Sequence, residues 1–109
     1  MKFTTTANLN MSSYKGDITT TYDRLVAVFG APKYGPNDHN LDKVTCEWNL
    51  EFEDGTKASI YDWKTDRTPF GQYAWHIGGY DYAAVERVLE TFKLAQDPLV
   101  KMVKEYEGT

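Results

Sequence analysis

The sequence predicts an α+β domain: an antiparallel sheet of about four strands with helices packed on one face. Three observations carry this expectation. Residues 44–52 alternate Val44, Cys46, Trp48, Leu50 and Phe52 against Thr45, Glu47, Asn49 and Glu51, the period of a strand with one buried face. A further strand returns from the turn Glu53-Asp54-Gly55, and strands that follow one another without an intervening helix pair antiparallel. Two other blocks repeat their apolar residues three and four apart, the stripe of an amphipathic helix. The order expected is strand, helix, three strands, two helices.

Phe3, Thr5, Ala7 and Leu9 alternate with Thr4, Thr6 and Asn8, which predicts an edge strand. Residues 12–16 read as a turn. Residues 19–29 place Tyr22, Leu25, Val26 and Phe29 on one helical face, with Thr20 and Asp23 as a capping pair and Gly30 and Pro32 as the stop. Residues 33–43 have no apolar period and read as a loop. At the central hairpin, a two-residue loop would set Lys57 and Ser59 on the buried face. A three-residue loop with Gly55 in a left-handed position instead pairs Phe52 with Thr56, Leu50 with Ala58 and Trp48 with Ile60, and is preferred. Lys57, Ser59, Tyr61 and Trp63 then share the outer face with Glu51, Asn49, Glu47 and Thr45. After a charged loop over 64–71, residues 72–77 form the next strand, which Gly78-Gly79 ends. Asp81 caps a helix bearing Tyr82, Val85, Leu89 and Phe92 on one side, with Val88 adjacent. Asp97-Pro98 starts a terminal helix with Leu99, Met102, Val103 and Tyr106 as its stripe.

The 109 residues suit a single domain over 1–109, and the 41% apolar and 15% aromatic content is that of a folded chain. The net charge of −4 argues against broad nucleic-acid binding, which draws its affinity from Lys and Arg displacing counterions. With one cysteine, Cys46, no internal disulfide forms. The longest apolar run, residues 25–29, is far short of a membrane span, and Met1-Lys2-Phe3-Thr4-Thr5 lacks the apolar core of a secretory signal. A soluble intracellular protein is expected.

No motif specifies a reaction. His76, in Trp75-His76-Ile77, is the only strand histidine and the one candidate general base, but no partner at fixed spacing orients it, and His39 lies in a polar loop. One Cys and two distant His do not make a zinc set, and Asp38, Asn40 and Asp42 lack the glycine and terminal Glu of a calcium loop. No metal or other cofactor is expected. Cys46 falls on the apolar side of its strand and reads as core. Glu47, Glu51, Glu53, Asp54 and Asp62 surround one hairpin and read as solvated carboxylates that keep an edge soluble. Gly78-Gly79 reads as a turn pair; with Asp81 at the cap, the following helix end repels a phosphate.

What remains is a surface of rings and cations: Tyr61 and Trp63 on the outer face, Lys64, Arg67 and Phe70 in the loop that continues it, and His76 on the next strand. This composition binds flat anionic ligands or forms a protein hot spot, by stacking and charge-assisted hydrogen bonds. The bland alternative is that helices or a second subunit cover the rings.

The pattern Val44-x-x-Glu47-Trp48-x-x-x-Phe52-x-Asp54-Gly55-Thr56-x-Ala58-x-Ile60-Tyr61-x-Trp63-Lys64, followed by Trp75-His76-Ile77-Gly78-Gly79, resembles a group of small accessory proteins encoded by tailed bacteriophages. The segment over 25–32, Leu-Val-Ala-Val-Phe-Gly-Ala-Pro, is similar to that group as well. The resemblance supplies no functional residue. It implies a viral origin and a place in the cytoplasm of a bacterial host, where small phage proteins act by binding host factors, including components or signals of antiviral defence. The expected function is therefore that of a non-catalytic binding protein that antagonises such a factor by capturing a host protein or a small anionic, nucleotide-like signal. Alternatives are a small hydrolase or transferase with His76 as base, and a dimeric assembly protein whose sheet faces pack together.

Overall fold

The computed structural model describes residues 2–35, 44–65 and 67–96. The elements are β1 (Phe3–Thr4), β2 (Ser13–Thr20), α1 (Tyr22–Phe29), β3 (Glu47–Phe52), β4 (Lys57–Tyr61), β5 (Tyr73–Gly79) and α2 (Ala83–Gln96). The five strands form one antiparallel sheet in the order β1-β3-β4-β5-β2. The α+β class holds, with five strands where about four were expected.

The central hairpin follows the three-residue register. Leu50 lies opposite Ala58 and Trp48 opposite Ile60, and the Phe52 N–H donates to Thr56 O at 2.8 Å. Gly55 has φ +89°, a conformation that excludes most side chains and lets the loop close in three residues. The inward row of Trp48, Leu50, Phe52, Ala58, Ile60, Trp75 and Ile77 meets Leu25 and Phe29 of α1 and Ala84 and Val88 of α2, so both helices cover the same face. Trp48 and Trp75 pack edge to face at 5.7 Å, and their indole N–H groups donate to Gly30 O and Thr20 O. Burying each such side chain contributes roughly 1.5–3 kcal/mol, so this layer dominates the stability. Cys46 is fully buried, as its strand position predicts.

The amino-terminal third differs most from expectation. The first strand is only two residues long, and residues 13–20, read as a turn leading into a helix, form the eight-residue edge strand β2. Its sequence, Ser-Tyr-Lys-Gly-Asp-Ile-Thr-Thr, buries only Ile18 and Thr20 and so carries little periodicity; pairing with β5, far along the chain, makes it a strand. The helix consequently starts later, and Thr21 is the N-cap, accepting from the Arg24 N–H. β1 and β2 lie on opposite edges of the sheet, and residues 7–10 and 12 line a cleft with Glu47, Asn49 and Ser59, so residues 5–12 cross the outer face as a strap. A strap cannot be told from a strand by the alternation of Thr5, Ala7 and Leu9.

Two further expectations are corrected. Gly78 and Gly79 belong to β5 and are not a turn pair: a Cβ on Gly79 would lie 2.5 Å from the Ala84 Cβ, so glycine is required for α2 to dock on the strand. Along α2 the buried side chains are Ala84 and Val88, with Val85 and Phe92 partly covered, while Leu89, and Tyr82 just before the helix, are exposed. The buried stripe is turned from the predicted one toward Ala84, which sits against Gly79 of β5, while Val85 meets Gly16 of β2 at its margin. The terminal helix expected after Asp97, most of the 33–43 loop and His39 lie outside the described residues. No helix among the described residues is long and apolar enough to cross a membrane.

Candidate functional site

The face opposite the helices is crossed by the strap, and no helix among the described residues lies on it. Hairpin register and the pairing of β4 with β5 set Tyr61 opposite both Glu47 and His76. The Tyr61 and His76 rings stack at 5.4 Å with a 26° interplanar angle. Tyr14, from the edge strand, adds a ring 5.1 Å from His76, and Trp63 packs edge-on to Tyr61 at 6.4 Å. Lys64 Nζ lies 5.9 Å from the Trp63 ring centroid. The result is a continuous lane, Tyr14-His76-Tyr61-Trp63-Lys64, running across three strands and into the following turn. Its outermost rings, Tyr14 and Trp63, are 52% and 42% exposed.

The lane has an electrostatic polarity. Burial pushes the Tyr61 phenol above its usual range, and the nearby Glu47 and Asp17 carboxylates push it the same way. The Tyr14 hydroxyl donates to Asp17 Oδ1 at 2.9 Å, which raises its pKa because the bond is lost on ionisation. Both phenols therefore stay neutral and serve as polarisable surfaces. The Tyr14 end is acidic, and the Trp63 end carries Lys64. His76 Nδ1 is buried and has no hydrogen-bond partner among the described residues. His76 is held between the Tyr14 and Tyr61 rings, and among the described residues no carboxylate is hydrogen-bonded to it.

A buried carboxylate holds the turn that presents Trp63 and Lys64. Asp62 is fully buried, which corrects its reading as a solvated surface acid. Its Oδ1 accepts the N–H groups of Thr45 at 2.7 Å and Cys46 at 3.1 Å, and its Oδ2 accepts the hydroxyls of Thr45 and Thr65, each at 2.5 Å. Since the Thr45 hydroxyl donates to Asp62, the Thr68 hydroxyl, 2.7 Å away, donates to Thr45. Four donors offset the desolvation of the charge. Lys64 takes the uncommon φ of +54° just past this anchor. The other carboxylates differ: Glu51 faces Lys57 at 3.9 Å, and Asp54 pairs with Arg87 of α2 at 2.8 Å.

Of the residues singled out in the sequence, Tyr61, Trp63, Lys64 and His76 come together. Phe70 does not: its ring packs edge-on to Tyr22 of α1 at 5.2 Å, so it sits with the helix side. Arg67 is exposed in the intervening loop, where its N–H donates to Thr65 O. Sequence reasoning missed Tyr14, because its strand was not recognised. It also missed a polar cleft of about 180 Å³ between the strap and the sheet, whose walls include Asn8, Asn10, Lys33, Glu47, Asn49 and Ser59. The outward positions of Glu47, Asn49 and Ser59 were readable from the hairpin register, but their roof was not. Among the described residues, no group of three His, Cys, Asp or Glu side chains is arranged to hold a metal ion. No protein-family model, curated protein or solved structure matches the chain.

Proposed function

We propose that this is a non-catalytic capture protein that holds a small, flat, anionic molecule of the nucleotide type on the outer sheet face. The observation that carries the reading is the ring lane Tyr14-His76-Tyr61-Trp63, ending at Lys64 and bordered by a polar cleft on a face that neither described helix covers. Rings supply stacking area with little conformational entropy to lose, and the cation at one end favours the charged part of the ligand. Together with the phage-like hairpin pattern, this supports a role inside a bacterial host as a sponge for a signal of antiviral defence. A protein partner on the same face is the competing outcome.

The test is mass measurement of the protein taken from bacterial cells mounting an antiviral response, under native and denaturing conditions. A mass excess of a small organic molecule, lost on denaturation and absent from Trp63→Ala, is the expected result. A bare chain, or a chain retaining a second protein instead, overturns it.

A further inference from the structure

The strap cleft is the feature that goes furthest beyond the ring lane. Glu47, Asn49 and Ser59 line it from the sheet side, Lys33 contributes a cation, and residues of the strap enclose it. Register makes the two features contiguous: Glu47 is directly opposite Tyr61 on the adjacent strand, and Asn49 opposite Ser59. Such paired side chains on one face have Cβ atoms about 4.5–5.5 Å apart. Gly78 keeps the neighbouring floor clear, since a Cβ there would lie 2.6 Å from Ser59 Oγ and 3.3 Å from Tyr61 Cε1. At about 180 Å³ the cleft is smaller than the roughly 300–1,000 Å³ that encloses a drug-sized molecule. It has room for one heterocycle and leaves the rest of a ligand outside.

The chemistry of the cleft selects the edge of that heterocycle. Among the described residues Glu47 is the only carboxylate of the cleft, one of its oxygens accepts from Asn49 Nδ2 at 3.2 Å, and no described Lys or Arg lies within ion-pair distance of it. An ionised carboxylate only accepts, so a ring edge facing it must present donors, and two adjacent N–H groups match its two oxygens. Guanine carries such a pair in N1–H and the 2-amino group; adenine sets a donor beside an acceptor, and hypoxanthine has lost the amino group.

We infer that the strap cleft is a guanine pocket, in which Glu47 accepts the N1–H and 2-amino donors while Tyr61 borders the base. Lys33 supplies positive charge for the phosphates. The inference rests on the ring-lane reading and narrows it to one class of nucleotide.

Calorimetric titration of the full chain with GMP, IMP and AMP tests it. GMP is expected to bind roughly ten- to a hundred-fold more tightly than IMP or AMP, the ratio associated with a hydrogen bond to a charged group. Glu47→Gln, which keeps the side-chain volume, is expected to bring GMP down to the level of IMP. Equal binding of the three nucleotides by the unaltered protein overturns the guanine pocket without needing any variant, and a GMP preference that survives Glu47→Gln overturns the role of Glu47. If the three bind equally and Trp63→Ala abolishes all of them, the ring lane stands and the pocket assignment fails. Absence of binding by all three nucleotides overturns the pocket, and the mass measurement then decides separately whether the capture reading falls with it.

Discussion

Removing the carboxylate of Asp62 tests whether this buried anchor is what shapes the presenting turn. In Asp62→Ala, the two backbone N–H groups that Oδ1 receives, from Thr45 and Cys46, lose their acceptor inside the protein. The Thr45, Thr65 and Thr68 hydroxyls can turn toward one another and recover part of their bonding. Stranding the buried Cys46 donor and the half-buried Thr45 donor, at about 1–3 kcal/mol each, gives a loss of about 2–6 kcal/mol, the Thr45 share toward the lower end. Asp62→Asn behaves differently. Its amide oxygen still accepts the two backbone donors, and its NH2 group faces two hydroxyls that rotate to accept from it. The loss there is about 1–2 kcal/mol, the replacement of charged by neutral hydrogen bonds. Urea unfolding followed by circular dichroism reads both as shifts in midpoint at unchanged slope. Equal destabilisation by the two variants would refute the reasoning, since it assigns most of the energy to the backbone donors and little to the charge. So would a loss below about 0.5 kcal/mol in Asp62→Ala, the range of an ordinary surface substitution.

Gly79→Ala places a Cβ 2.5 Å from the Ala84 Cβ and 3.1 Å from Lys57 O, and so is expected to destabilise by about 1–3 kcal/mol. Gly71→Ala, with nothing within 4 Å, is its neutral control in the same unfolding assay. Asp54 has its carboxyl held at about 2, below the ordinary 3.8, first by the Arg87 hydrogen bond and then by the Thr56 N–H. A depressed carboxylate stabilises the fold fully above its unfolded pKa; the contribution of this pair is therefore complete above about pH 4 and is lost as the pH falls through about 2. An NMR titration of Asp54 in Arg87→Ala is expected to show a midpoint above 2, and an unchanged midpoint would remove Arg87 as the cause. Trp63→Ala is expected to leave the unfolding midpoint nearly unchanged, since the ring is 42% exposed, while removing ligand capture; a large loss of stability would make Trp63 a structural residue.

The chain's local chemistry determined the parts of this protein that close over short distances. Alternation from Cys46 to Phe52 and the Glu53-Asp54-Gly55 turn set the hairpin register, and that register alone placed Tyr61 among Glu47, Asn49 and Ser59 on the outer face. A side-chain period of two and a turn that admits one loop length are legible in sequence because both act within a few residues. Tertiary structure decided the rest. β2 is a strand only because β5 pairs with it, which brings Tyr14 to His76 and sends residues 5–12 across the sheet. Asp62 reads as one more acid beside a hairpin until the segment leading into β3 and the loop after β4 converge on it with four donors. The Glu47 cleft likewise exists only under the strap. In each case the deciding partner is many residues away, and its contribution comes from contacts that no local period or propensity encodes.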